Sequence, residues 1–186
     1  MRWISYFILA YVALGLQTGM GRAMQVKNAG PNLVLLAVVF VGMNAPREAA
    51  LLGAFVLGAL QDLTSQGTMG LYCLSYALVA MFVVTARQAL YREHPLTHFS
   101  LTLSGGLITA AVLAIHGWLR PPAAGMGDGP HAAAAAVRPA VLPLFYTAIY
   151  SAVLAPFVLG VLQRMKRVFG FVPGRRVRWP AGAGVR

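Results

Sequence analysis

The chain has 186 residues, of which 59% are hydrophobic and only 10% are charged, and its formal net charge is +11. Soluble domains carry about a quarter charged residues, so this composition excludes an ordinary water-soluble globule. The single cysteine, Cys73, excludes an internal disulfide and a zinc site built on several cysteines. The apolar residues occur in long blocks, which indicates helices that face lipid, and the positive charge then indicates cationic loops on one side of a membrane.

Six apolar segments predict an all-α integral membrane protein with six short transmembrane helices. The first segment, residues 3–20, could also be a signal peptide, but its weak end and poor cleavage site favour retention as a helix. The second and third helices are predicted to form a hairpin at Pro46, because one continuous helix would place Arg47 and Glu48 at the membrane midplane. The predicted helices are residues 3–20, 31–44, 47–60, 71–86, 97–119 and 141–162.

The segments after the fifth helix differ from the rest in composition. Residues 120–138 are rich in Pro, Gly and Ala, with five consecutive alanines from Ala132, and they predict a mobile low-complexity loop. Pro156 is predicted to kink the sixth helix. We therefore expect one six-helix transmembrane domain, residues 1–163, followed by a basic cytoplasmic tail, residues 164–186.

The basic tail is predicted to anchor the chain to anionic lipid, at about 1 kcal/mol for each cation near the surface. A cytoplasmic protein partner is the alternative, and nucleic-acid binding lacks a supporting fold. The predicted membrane-surface anchor consists of Arg164, Lys166, Arg167, Arg175, Arg176 and Arg178.

Cation counting orients the six predicted helices. An even number of helices puts both termini on one side, and only Arg22, Lys27, Arg120 and Arg138 of the 15 cations then lie on the other side. The positive-inside rule places the cation-rich side, with both termini, in the cytoplasm. The turn around Asp62 would then face outward.

A row of small residues in the third helix ends in an acid. Ala50, Ala54, Gly58 and Asp62 are four residues apart and share one helix face, which would let another helix approach closely. A carboxylate beside hydrocarbon is costly without a partner. Two interpretations remain open: a groove for a partner helix capped by the carboxylate, or internal packing with Asp62 bonded to turn amides or Ser65.

Other helices carry pairs of small residues that predict helix–helix contacts without specifying which helices meet. These pairs are Gly15 with Gly19, Gly105 with Thr109, and Gly106 with Ala110.

The sequence contains no recognisable catalytic or phosphate-binding motif, so we predict a protein that is not an enzyme. His94 and His98 are four residues apart, but Pro95 separates them and only Glu93 is near. These histidines are therefore predicted to be surface residues of a link rather than metal ligands, and no metal or cofactor is expected.

One stretch of the chain, together with six short helices and cytoplasmic ends, resembles the MreD family of rod shape-determining membrane proteins. That stretch reads Gly53-x4-Gly58-x2-Gln61-Asp62-x2-Ser65-x-Gly67-x2-Gly70-Leu71-x2-Leu74-x-Tyr76. The predicted interface, for helix packing or for a partner, consists of Ala50, Ala54, Gly58, Asp62, Gly67 and Gly70, and Gly58 and Asp62 are the two of these that the resemblance singles out.

The resemblance also implies a location, partners and a fold. Such proteins are non-catalytic scaffolds of the bacterial inner membrane that bind MreC and, through it, MreB filaments, the RodA polymerase and a transpeptidase. Their fold is similar to that of the substrate-binding subunits of energy-coupling-factor transporters. Self-association into a homo-oligomer is left open.

The alternative function is a small-molecule-binding subunit of such a transporter, because similarity of fold does not fix function. Those subunits resemble one another in an Ala-xxx-Ala pattern on the first helix, which docks the coupling module. Here Ala10 and Ala13 are three apart, and Leu14 stands where the pattern requires alanine. This departure favours the scaffold interpretation.

Overall fold

The computed structural model describes residues 3–20, 30–65, 69–87, 95–119 and 130–169, and the structural statements below concern these residues. They form six α-helices in the order that the apolar blocks predict. The helices are α1 (Trp3–Met20), α2 (Leu33–Asn44), α3 (Arg47–Thr64), α4 (Leu71–Ala86), α5 (Pro95–Leu119) and α6 (Pro130–Phe169).

Helix α2 is the centre of the bundle. Its sequence is apolar on every side, and each residue from Val34 to Met43 is buried. A helix that is hydrophobic all round belongs in an interior, and the other five helices all pack against α2. Around it, α1 packs on α3, α3 on α4, α4 on α5 and α5 on α6.

The hairpin predicted between the second and third helices is confirmed. Helix α2 ends at Asn44, α3 begins at Arg47, and Pro46 occupies the N-cap position of α3. Proline lacks an amide hydrogen, so it fits the start of a helix, where that hydrogen would have no partner. Arg47 and Glu48 are both exposed, as their charges require.

Two helix boundaries differ from the prediction. Helix α3 continues to Thr64, so Asp62 lies in the last helical turn and not in a loop. Helix α6 begins at Pro130, so the prediction of a loop over residues 130–138 is wrong. Alanine is the strongest helix former and proline suits the first helical position, and these preferences outweigh the low complexity of the segment. Residues 120–129 lie outside the described part, and the predicted kink at Pro156 stays a prediction.

The outer surface of the bundle is apolar. Large hydrophobic side chains are exposed on every outer helix, for example Tyr11, Phe55, Met81, Leu107 and Phe157. Exposed apolar area of this extent is typical of a surface covered by lipid or by other protein. By length and composition, two segments can cross a bilayer, Leu96–Leu119 and Leu142–Arg164, and three apolar helices are shorter.

Candidate functional site

The side chain of Asp62 closes the junction between α3 and α4. Its carboxylate accepts hydrogen bonds from the backbone amides of Gly70 at 3.0 Å, Tyr72 at 3.1 Å and Cys73 at 3.1 Å. The first amides of a helix have no acceptor within that helix, and the helix dipole there favours negative charge. Asp62 is only 5% exposed, so it acts as a buried cap for α4 that is supplied by the preceding helix.

This geometry agrees with the prediction that Asp62 bonds turn amides. Ser65, the alternative partner, donates its hydroxyl to the Asp62 backbone carbonyl at 3.2 Å rather than to the carboxylate. Gly70 adopts a φ of +97°, a left-handed conformation that glycine tolerates without strain. Gly67 lies outside the described residues.

Gly58 allows α3 and α4 to meet backbone against backbone. A β-carbon at this position would lie 2.5 Å from the Cys73 Cα atom and 2.6 Å from the Tyr72 carbonyl oxygen. Ala50 and Ala54, on the same face, are completely buried. The row of small residues thus packs inside the chain, and its contact with a partner stays a prediction that would require this face to open.

Tyr6 links α1 to the same helix. Its buried hydroxyl donates a hydrogen bond to the Gly53 carbonyl oxygen. A β-carbon at Gly53 would lie 3.0 Å from the tyrosine ring, so the missing side chain makes room for Tyr6. This contact could not be predicted from the sequence, because a tyrosine in an apolar helix carries no signal of its partner.

A second polar cluster fixes the start of α2. Asn32 caps the helix by accepting the Leu35 amide at 2.9 Å, and its side-chain amide donates to the Tyr76 hydroxyl at 3.0 Å. The Asn32 backbone amide donates to the Ser151 hydroxyl at 2.8 Å, and Gln17 accepts another first-turn amide at 3.1 Å. Side chains from α1, α4 and α6 therefore converge on the N-terminus of the central helix.

Replacing Asn32 by alanine is expected to destabilise the fold by about 2–4 kcal/mol. The change removes a helix cap and leaves buried partners unsatisfied, including the Tyr76 hydroxyl. Thermal unfolding of the purified chain in detergent measures the effect. Asn44→Ala is the matched control at the other end of α2, because Asn44 is only half-buried and bonds a carbonyl of its own helix. Equal melting temperatures for the two variants would contradict the prediction.

The side chain of Arg87 caps the C-terminal end of α2. The Arg87 guanidinium donates to the carbonyl oxygens of Gly42 and Ala45. The last carbonyls of a helix lack amide partners, and positive charge is favourable at that end. This contact also places the end of α4 beside the α2–α3 hairpin.

The prediction that His98 is a surface residue is wrong. His98 is 4% exposed, and its Nε2 atom lies 3.2 Å from the Nε2 atom of Gln163 in α6. Helix α5 starts at Pro95, before the predicted start, so His98 lies in its first turn against α6. His94 lies outside the described residues, which contain no cluster of three or more potential metal ligands.

Two of the three predicted small-residue pairs lie in internal contacts. A β-carbon would lie 2.9 Å from Val79 at Gly105 and 2.8 Å from Ala148 at Gly106, so α5 packs closely on α4 and α6. Gly15 and Gly19 differ, because among the described residues no atom beyond the local helix backbone would lie within 4 Å of a β-carbon at either position. The exposed face of α1 therefore keeps one small-residue pair accessible.

The predicted cationic anchor is only partly described. Arg164 is exposed near the end of α6. Lys166 and Arg167 belong to the same helix, but their side chains lie outside the described part, as do Arg175, Arg176 and Arg178 altogether. Lipid anchoring stays a prediction.

Comparison with known proteins decides the family. The family model described as rod shape-determining protein MreD matches residues 1–165. The chain belongs to the MreD family. It is therefore a member of a family of rod shape-determining membrane proteins, as the motif from Gly53 to Tyr76 predicts. Searches of curated proteins and of solved structures gave no significant match.

The family assignment connects the MreD motif to the contacts described above. Gly58 and Asp62 lie in the contact between α3 and α4. The Gly53 carbonyl accepts the hydrogen bond from Tyr6 of α1. Tyr76 bonds Asn32, the cap of α2. The described motif residues thus join four helices into one body. In this MreD protein, the motif residues therefore stabilise the packing of the helices against one another.

Proposed function

We propose that this MreD protein is a non-catalytic scaffold of the bacterial inner membrane. It binds an MreC-like membrane protein and, through it, MreB, RodA and a transpeptidase, and so helps to direct lateral peptidoglycan synthesis and rod shape. The observation that carries the proposal is the family match over residues 1–165. A packed helical bundle with an apolar exterior supports it, because such a surface can hold partner helices within the bilayer.

The proposed topology has six membrane crossings with both termini in the cytoplasm. Arg47 begins α3, Arg87 caps the end of α2, and Arg164 lies near the end of α6, so all three belong to the end of the bundle that the cation count places inside. Asp62 lies at the opposite end, beside the start of α4. The 12-residue helix α2 can belong to this arrangement because the other five helices pack around it.

The proposed docking surface for the MreC-like helix is the exposed face of α1. The small-residue faces of α3 and α5 pack against other helices of the same chain, whereas Gly15 and Gly19 are accessible. Tyr11 and Phe7 continue the same row at four-residue spacing and are 80% and 56% exposed. Small residues flanked by aromatic side chains allow two helices to approach closely in lipid.

Substituting both Gly15 and Gly19 by leucine is expected to reduce recovery of the MreC-like partner about tenfold. The loss corresponds to roughly 1–2 kcal/mol of helix contact, and the fold should be retained because both positions face open space. The measurement is co-purification from bacterial membranes in mild detergent, quantified by mass spectrometry per folded molecule.

The matched control is Gly117→Leu on α5, where the glycine also faces open space. Full recovery of the partner with the folded α1 variant would move the docking surface away from α1. Absence of an MreC-like protein from wild-type preparations would contradict the scaffold function itself.

The transporter alternative receives no support from the described residues. A cavity between α2, α4, α5 and α6 has a volume of about 40 Å³, whereas pockets for drug-sized ligands are roughly 300–1,000 Å³. Ala10 and Ala13 are 2% and 7% exposed, so they pack into the core and do not present a docking pattern outward. Recovery of ATPase subunits with the purified chain would favour the transporter.

A further inference from the structure

The small cavity between α2, α4, α5 and α6 has the size and the lining of a water site. Its volume of about 40 Å³ exceeds the roughly 10–15 Å³, in the same measure, that one water molecule needs. It lies beside the polar cluster at the start of α2, and Asn32, Thr147 and Ser151 contribute to its walls. The remaining lining comes from α2, α4, α5 and α6 and is largely apolar, with Tyr72 and Thr109 as its other residues that carry a hydroxyl.

The polar groups of this wall retain unused hydrogen-bonding capacity. The Asn32 side-chain amide has two hydrogens and one bond, to Tyr76. The Ser151 hydroxyl accepts the Asn32 backbone amide and donates to the Thr147 carbonyl at 2.7 Å, which leaves one lone pair. The Thr147 hydroxyl makes no hydrogen bond to another described residue. Buried waters typically make about three hydrogen bonds, and these three side chains can supply them.

We propose that this cavity is a hydration site, in which one or two water molecules bond Thr147, Ser151 and the free hydrogen of the Asn32 amide. The water joins α6 to the cap of the central helix. It extends the polar cluster at the predicted outer end of the bundle, on the far side of α2 from Arg87. The proposal is independent of which partner the scaffold binds.

Water-edited solid-state NMR of the full chain in lipid bilayers tests the site directly. Magnetisation from water is expected to reach Ser151 and Thr147 several-fold faster than Ser75, a completely buried serine of α4 that does not line the cavity and whose hydroxyl donates to the Leu71 carbonyl of its own helix. Build-up at Ser151 as slow as that at Ser75 would overturn the proposal.

A substitution that fills the cavity gives a second test, because it should lower the melting temperature if the cavity holds water and raise it if the cavity is dry. Ala110 lines the cavity, and Ala110→Val would displace the water and leave its partners unsatisfied. The melting temperature is then expected to fall by roughly 2–4 °C relative to Ala111→Val, an exposed position on the same helix. A rise relative to that control would indicate a dry cavity and would contradict the proposal. If Ala110→Val does not fold, the NMR experiment on the wild-type chain decides.

Discussion

Replacing Asp62 by alanine is expected to destabilise the bundle by about 3–5 kcal/mol, because three amides at the start of α4 lose their acceptor. The site is buried, so water cannot replace the carboxylate without opening the junction between α3 and α4. For a chain of this size the melting temperature should fall by roughly 10 °C. Fluorescence-detected size exclusion after heating in detergent measures the shift.

Glu48→Ala is the matched control, because Glu48 is an exposed acid in the first turn of the same helix. Asp62→Asn should fall between the two, since one carbonyl oxygen remains as an acceptor. A melting temperature for Asp62→Ala equal to that of Glu48→Ala would show that the three bonds contribute nothing to stability.

The predicted contact of Asp62 with MreC can be separated from this structural role. Because Asp62 is buried and its carboxylate is already bonded, we expect partner recovery to decrease only in proportion to folded protein. A folded Asp62→Asn variant with a normal melting temperature and no bound partner would instead support the interface on α3.

Replacing Gly58 by alanine is expected to destabilise the fold by about 3 kcal/mol or more. The new β-carbon would meet the α4 backbone at Cys73 and Tyr72, and backbone atoms cannot rotate away as a side chain can. The two helices must separate, and that movement would also strain the bonds of Asp62. The same heating assay measures the effect.

Gly19→Ala provides a control of the same chemistry with the opposite expected sign. Gly19 lies in helix α1, and no atom of the described residues beyond the local helix backbone lies within 4 Å of the place its β-carbon would take. Alanine is favoured over glycine in a helix by up to about 1 kcal/mol. Equal effects at Gly58 and Gly19 would contradict the close backbone contact between α3 and α4.

Several features of the site could be predicted because they depend on local composition and spacing. Apolar blocks locate helices, Pro46 separates α2 from α3, and the four-residue spacing from Ala50 to Asp62 defines one helix face. The start of α6 is harder to predict, because an alanine-rich sequence is compatible with both a low-complexity loop and a helix. There the helix-forming preference of the five alanines after Pro130 prevails.

The sequence by itself determined the membrane class, the order of the helices and membership of the MreD family, because hydropathy and motif spacing are properties of neighbouring residues. Only the tertiary structure decided that Tyr6 meets Gly53, that Asn32 joins Tyr76 and Ser151, and that α1 keeps an accessible small-residue face. These contacts join residues tens of positions apart. Their geometry depends on how five helices surround α2, which no local pattern encodes.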